Sequence, residues 1–226
     1  MEKILILGGS SNMGLATAKL AIERRYEVLI AGRNLEKLKR AQASLNGSVK
    51  IYQIDLQQDT QTIQLFKEVK GIDHIVVTVS MPSAASSISA TDVTTAKQAF
   101  ERFWMNYRVI HHARQYLPSN GSITLISGSS SKTPAKGYGV WGTMHGSIEA
   151  LARNAALEIA PVRVNVVSPG GIGLQPHNQL LEHYGKTEDV AHMILSVIEN
   201  PAITNAKIDV DSGERQGEWS GDKNRH

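Results

Sequence analysis

The sequence contains no cysteine, which excludes a disulfide framework, a zinc–thiolate centre and a cysteine nucleophile together. It also has no uncharged apolar run of membrane-spanning length, so no transmembrane segment is expected. Met1 leads almost directly into Lys3-Ile-Leu-Ile-Leu7, without the charged region, apolar core and cleavage site of a secretory leader; a cytoplasmic location is the expectation. Charge of one sign is not gathered anywhere. The net charge of +3 and pI near 9.1 come from lysines and arginines scattered among acids, a solvated surface rather than a nucleic-acid footprint. Such a mild positive balance favours small anionic ligands. With no internal repeat or low-complexity linker, 226 residues that are 41% apolar fit one domain, expected over 1–213, followed by a polar and mobile tail over 214–226.

What is present is a regular alternation. Lys3 to Leu7 is short, apolar and rich in branched side chains, which suits a strand buried on both faces of a parallel sheet. Glu27 to Ala31 reads as a second strand, with others near Val49 to Ile54, His74 to Val79, Ser122 to Ile126, Val162 to Val167 and Ala206 to Val210. Helical patterns separate them, over Leu15 to Ile22, Leu35 to Leu45, Thr60 to Lys70, Thr94 to Tyr116, Thr143 to Ile159 and Thr187 to Glu199. The alternation predicts an α/β fold with a doubly wound, seven-stranded parallel sheet and helices on both faces. Met81 to Asp92, rich in Ser, Ala and Thr, is expected to be a loop at a strand's carboxyl end, where such sheets place ligands.

Between the first strand and the first helix stands Gly8-Gly-Ser10-Ser11-Asn12-Met13-Gly14. A glycine-rich turn in this order lets backbone NH groups and a helix amino terminus approach a pyrophosphate. After the second strand the chain reads Ala31-Gly32-Arg33-Asn34, with no acid to hold ribose hydroxyls. Arg33 can instead make forked hydrogen bonds to a 2′-phosphate, so NADP(H) is the expected cofactor; an exposed loop arginine is the alternative.

On these residues the chain resembles the short-chain dehydrogenase/reductase family, over nearly its whole length. Leu7, Gly8, Asn12 and Gly14 occupy the four specified places of the family's T-G-x-x-x-G-x-G motif. Asn12 replaces the middle glycine, and asparagine is among the few residues that tolerate positive φ. Asp55-Leu56 resembles the pair at the adenine ring, although Asp55 alone reads as a turn residue. The family's N-N-A-G is replaced by Val77-Thr78-Val79-Ser80, with Val79 beside the ribose. Val164-Asn165 and Ser168-Pro169-Gly170 resemble the sixth strand and the turn beside the nicotinamide, which assigns Pro169 and Gly170 to the cofactor.

The family's carbonyl reduction uses a tyrosine, a lysine four residues later, a serine upstream and an asparagine. Residues four apart on a helix share a face, so tyrosine and lysine can address one cofactor. Glu149-Ala-Leu151, Glu158-Ile-Ala-Pro161 and Arg163-Val-Asn165 set the register by resemblance. It puts Trp141 at the tyrosine, His145 at the lysine and Gly128 at the serine, flanked by Ser127 and Ser129. Only Asn106 keeps its expected role. Indole cannot ionise usefully and glycine has no side chain, so the family's usual proton transfer is disfavoured. His145 is a candidate acid or base, a ribose ligand, or a partner stacked on Trp141. Tyr138, one turn before Trp141, is a further candidate phenol, and Ser127, Ser129, Ser130 and Ser131 offer hydroxyls.

Adjacent His111 and His112 diverge on a helix and are poor joint metal ligands, so no metal site is expected. Phe100, Phe103, Trp104 and Tyr107 form a stripe that reads first as packing; the resemblance implies a homodimer or homotetramer using that helix. It also implies a substrate lid over Gly171 to Tyr184, including His177, Leu180 and Leu181. The leading expectation is an NADP(H)-binding oxidoreductase acting on a small carbonyl or alcohol through a non-standard proton transfer. Two alternatives stay open: a non-redox enzyme of cyclisation, elimination or isomerisation, and a catalytically silent NADP(H)-binding or sensing protein.

Overall fold

The five residues Lys3–Leu7 form strand β1, whose last four side chains are fully buried because helices cover both faces of the sheet. A computed structural model describes residues 1–81, 86–173, 179–183 and 185–214. Along these the order is β1, α1 (Asn12–Glu23), β2 (Glu27–Gly32), α2 (Leu35–Ser44), β3 (Val49–Gln53), α3 (Asp59–Glu68), β4 (His74–Val77), α4 (Val93–Ala113), β5 (Ser122–Ile126), α5 (Gly139–Glu158), β6 (Arg163–Pro169), α6 (Thr187–Glu199) and β7 (Lys207–Val210). The strands make one seven-stranded sheet in the order β3-β2-β1-β4-β5-β6-β7, with every pairing parallel. This is the doubly wound α/β architecture that the alternation predicts.

Each face of the sheet has its own apolar layer. Leu5, Leu7, Val77 and Leu125 pack with Leu65 and Phe66 of α3, Met105 and Val109 of α4, and Met144 and Ile148 of α5. Ile4, Ile6, Val76 and Val167 face the other way, onto Ala18 of α1, Leu38 of α2 and Ile194 of α6. The alternation along β1 sends neighbouring residues to opposite layers. Because strand order reverses between β1 and β4, the connections leaving their carboxyl ends run to opposite faces of the sheet and border a crevice, which is where sheets of this kind bind ligands.

Several boundaries differ from the sequence pattern. Strand β4 stops at Val77, and the Thr78 hydroxyl turns back to donate to the Leu7 carbonyl at 3.0 Å. Helix α5 begins at Gly139, four residues before the expected start. Glycine is a weak helix former, which hides that first turn from the sequence pattern. The fold needs glycine there nonetheless: a Cβ at Gly142 would stand 2.5 Å from the Ser130 carbonyl oxygen. Of the expected tail, residues 215–226 lie outside the described residues. No helix among the described residues is long and apolar enough to cross a membrane.

Candidate active site

At the mouth of the crevice, Gly8 takes φ +92° and Asn12 takes φ +47°, so the turn keeps its left-handed bend with asparagine in place of a glycine. Gly14 lies on the first turn of α1, where a Cβ would meet the Gly8 carbonyl oxygen at 2.3 Å and Thr78 Oγ1 at 2.5 Å. Only glycine lets the helix amino terminus come this close to β1 and β4. The Ser11 side chain makes no capping bond to α1, leaving the helix terminus facing the cavity beyond.

That cavity, of about 230 Å³, is lined by Gly8, Ser10, Ser11, Asn12 and Met13 on one side and by Gly32, Arg33, Asn34 and Lys37 on the other. Leu56 and Val79 also line it, and Asp55 does not; a carboxylate oxygen of Asp55 instead accepts from the backbone NH of Gln57 at 3.0 Å. Asn34 caps α2 by accepting from the Lys37 NH at 2.9 Å. Lys37 is a cation that the sequence reading passes over. It lies four residues after Arg33 and lines the same cavity. The crevice and the glycine cradle fit a dinucleotide, whose phosphate oxygens the α1 terminus would hold, and Arg33 and Lys37 are cations that would favour further negative charge.

Met13, Thr78, Val79 and Ser80 are shared with a second cavity of about 490 Å³, further along the carboxyl ends of the strands. Its lining includes Ser127, Gly128, Ser129, Ser130, Tyr138, Trp141, His145, Pro169 and Gly170. Trp141 and His145, one turn apart on α5, present their rings together with centroids 5.7 Å apart. Tyr138 is the residue immediately before α5 and lines the same cavity.

The His145 ring is buried and held at both nitrogens. Nε2 lies 2.9 Å from Arg102 Nη1, and Nδ1 lies 2.9 Å from Ser130 Oγ. Its edge fills the space over Gly128: a Cβ there would stand 2.6 Å from His145 Cε1. Burial, reinforced by the Arg102 charge, pushes the imidazole down to about 3. His145 is therefore neutral through the physiological range and cannot supply a positive charge.

Arg102 sits on α4, one turn before Asn106, and is buried and lines the cavity. Its Nη2 donates to the Ile126 carbonyl at 2.8 Å, and burial lowers the guanidinium to about 10, so it stays cationic near neutrality. Nothing in the local sequence marks it except its i,i+4 relation to Asn106. Asn106 itself is buried, donates from Nδ2 to the Arg102 carbonyl at 2.7 Å, and leaves Oδ1 without a partner among the described residues. It does not line the cavity.

The serines divide. Ser127 and Ser131 both donate to Glu149 Oε1, at 2.9 and 2.6 Å. Ser130 faces His145, and Ser129 lines the cavity. Elsewhere, His112 pairs with Asp59 at 2.7 Å and His111 stacks on Tyr107. No group of residues arranged to hold a metal occurs among the described residues. Phe100 and Phe103 pack on the core, while Trp104 and Tyr107 are exposed. Of the expected lid, Leu180 and Leu181 are exposed and Gln179 lines the cavity; His177 lies outside the described residues.

The buried imidazole carries a pH consequence. Unfolded, it takes a proton near its ordinary value of 6.5; folded, only near 3. Stability from this group is fully present above pH 6.5 and lost as pH falls toward 3, by about 4 to 5 kcal/mol at the acid end. Replacing His145 by Asn is expected to flatten that part of the pH dependence. Urea midpoints of both proteins between pH 4 and 7 measure it, and parallel curves would contradict the assignment.

The chain matches the family model described as Enoyl-(Acyl carrier protein) reductase over residues 8–214. It is 32% identical to a protein named short-chain dehydrogenase/reductase ATR9 from Stachybotrys chlorohalonatus (strain IBT 40285), covering 94% of this chain and 96% of the relative. Among solved structures, the MalC reductase/Diels-Alderase of Malbranchea aurantiaca superposes with TM-score 0.86 at 26% identity, covering 94% of this chain and 95% of that one. A small-chain dehydrogenase in complex with NADPH superposes with TM-score 0.79 at 27% identity, covering 95% and 99%.

Proposed function

Because the chain belongs to the short-chain dehydrogenase/reductase family, we propose that it is an NADP(H)-dependent oxidoreductase of a small carbonyl or alcohol, with a proton-transfer arrangement unlike the family's usual one. When bound, the dinucleotide would supply hydride chemistry at its nicotinamide. The observation that carries this reading is the continuity of the two cavities. A glycine cradle and two cations stand at one end, and a pocket holding Trp141, His145 and Ser130 stands at the other. The likeness to a structure solved with NADPH supports the same choice of cofactor.

We read Gly128, Trp141 and His145 as standing where the family carries its serine, tyrosine and lysine. Their complementarity supports this alignment. An imidazole occupying the space above Gly128 leaves no room for a serine side chain, so the two departures make one packing solution. A homodimer or homotetramer through α4, and a place in the cytoplasm, belong to the same proposal.

The test is a pair of titrations. Arg33→Ala combined with Lys37→Ala is expected to weaken NADPH binding roughly 30-fold or more, while NADH changes less than about threefold, because only the former loses two charge-assisted contacts. Equal losses for both cofactors would overturn the phosphate assignment. NADPH consumption with a panel of small ketones, α-diketones and quinones then tests the reaction.

A second reading, a ring-forming or isomerising enzyme that keeps the dinucleotide as a wall of its pocket, is favoured by the aromatic and apolar lining of Tyr138, Trp141, Ala135 and Ile172. The name of the similar MalC protein joins a reductase with a Diels-Alderase. A substrate transformed while NADPH stays unchanged would select that reading. Binding with no transformation of any probe would select a silent sensor.

A further inference from the structure

Three side chains from distant parts of the chain are joined in a line along the wall of the second cavity. Arg102 comes from α4, Ser130 from the 3-10 turn Ser129–Ser131 after β5, and His145 from α5. The bonds joining them are each 2.9 Å long. A guanidinium has donors only, so His145 Nε2 must accept from Arg102 Nη1. The ring hydrogen then sits on Nδ1 and donates to Ser130 Oγ. Ser130 therefore receives a hydrogen bond, and its own hydrogen is left to point elsewhere. Ser130 lines the cavity.

Two neighbouring hydroxyls are committed. Ser127 and Ser131 give their hydrogens to Glu149. The Trp141 indole can donate but has no usable ionisation. Behind Ser130, the Arg102 charge is unusual: among the described residues no carboxylate pairs with it, and its Nε has no partner. A buried cation without a counter-ion is costly unless it stabilises negative charge that forms nearby.

We infer that Ser130 is the hydroxyl that donates to the substrate oxygen, and that Arg102 and His145 are positioning residues that polarise it through two successive hydrogen bonds. The inference rests on the reductase reading above. As a carbonyl carbon is reduced, its oxygen becomes an alkoxide, and an O–H bond forms there as the Ser130 Oγ–H bond breaks. The charge left on Oγ is held by the His145 Nδ1–H bond, with the Arg102 guanidinium behind the ring, until a proton from solvent returns to Ser130. In the alcohol-oxidising direction the same protons move in reverse. Burial strengthens the effect, because a fixed chain of dipoles ending in a cation acts most strongly where water is excluded. The low affinity of His145 for protons agrees with this order: the ring never needs to be cationic.

Two measurements on the full chain test the inference. The first needs no turnover. Histidine 15N NMR is expected to show His145 with hydrogen on Nδ1 and no protonation from pH 8 down to about 4. A hydrogen on Nε2, or titration near the ordinary histidine value, would overturn the relay. Arg102→Met should raise the His145 pKa only in part, because burial, the larger cause of its low value, remains.

The second reads NADPH consumption with 2,3-butanedione and 9,10-phenanthrenequinone as probes. Ser130→Ala is expected to lower kcat about 100-fold or more with the NADPH Kd within about twofold, and Ser130→Thr to restore at least about a tenth of it. A kcat unchanged in Ser130→Ala overturns the inference. If the wild-type protein consumes no NADPH with any probe, the reductase reading fails and takes the donor role with it; an intact Nδ1–H tautomer would then attribute the failure to that reading and not to the hydrogen-bond chain.

Discussion

A methyl group added at Gly14 is expected to destabilise the fold by about 3 kcal/mol or more and to reduce NADPH affinity beyond roughly 100-fold, the largest effect of any single substitution at the cofactor end. The cause is geometric. The new Cβ would lie 2.3 Å from the Gly8 carbonyl oxygen and 2.5 Å from Thr78 Oγ1, and the first of these is backbone that cannot swing aside. Helix α1 would have to move away from β1 and β4. That would withdraw its amino terminus from the cavity lined by Ser10, Ser11 and Asn12. Gly146 is the control, being helical with open space where its Cβ would go. Gly146→Ala is expected to stabilise α5 by about 0.5 to 1 kcal/mol through helix propensity alone. Denaturant midpoints and NADPH titrations of both variants check the contrast, and comparable stability for the two would refute the cradle argument.

Gly128→Ser should be the most disruptive change at the catalytic end. The backbone there is extended, with φ of −179°, so any residue could adopt it. The nearest obstacle is the imidazole, with Cε1 and Nδ1 at 2.6 and 2.8 Å from a new Cβ. The serine would push His145 away from Ser130 and Arg102, leaving a buried guanidinium without its acceptor, at about 2 to 4 kcal/mol. Removing the ring should relieve the clash. Gly128→Ser with His145→Ala is therefore expected to be more stable than the sum of the single changes by at least about 1 kcal/mol. Strict additivity in that double-mutant cycle would mean that the two positions do not share one space. Lysine at 145 would not be a simple cure, because a second cation would stand beside Arg102.

The reach of the sequence differed from one part of the chain to another. Strand β1 and the turn after it were legible because a short branched apolar run followed by glycine has few other conformations open to it. Asn12 at positive φ and Asn34 as a helix cap follow from the same local chemistry. The first turn of α5 was not legible, since Gly139 and Gly142 read locally as loop, whereas in the helix they lie close against Ile88 and Ser130 respectively. Asp55 shows how a lone polar residue stays open to two readings: resemblance suggests a place at the adenine ring, and its own local chemistry a turn, in which its carboxylate accepts from Gln57 NH. Lys37 and Arg102 were missed although each lies one helical turn from a residue singled out for its chemistry.

By itself the sequence determined the alternation of strands and helices, the glycine cradle and the presence of Trp141 and His145 one turn apart. These depend on sterics and periodicity within windows of a few residues. Only the tertiary structure decided what His145 is. Arg102 and Ser130 lie 43 and 15 residues away from it along the chain. They meet it only when α4, α5 and the turn after β5 close over the sheet and exclude water. Isolated, the imidazole would titrate near 6.5; buried between a guanidinium and a hydroxyl it is held neutral in one tautomer, because desolvation and a fixed neighbouring charge act through space and leave no trace in local sequence.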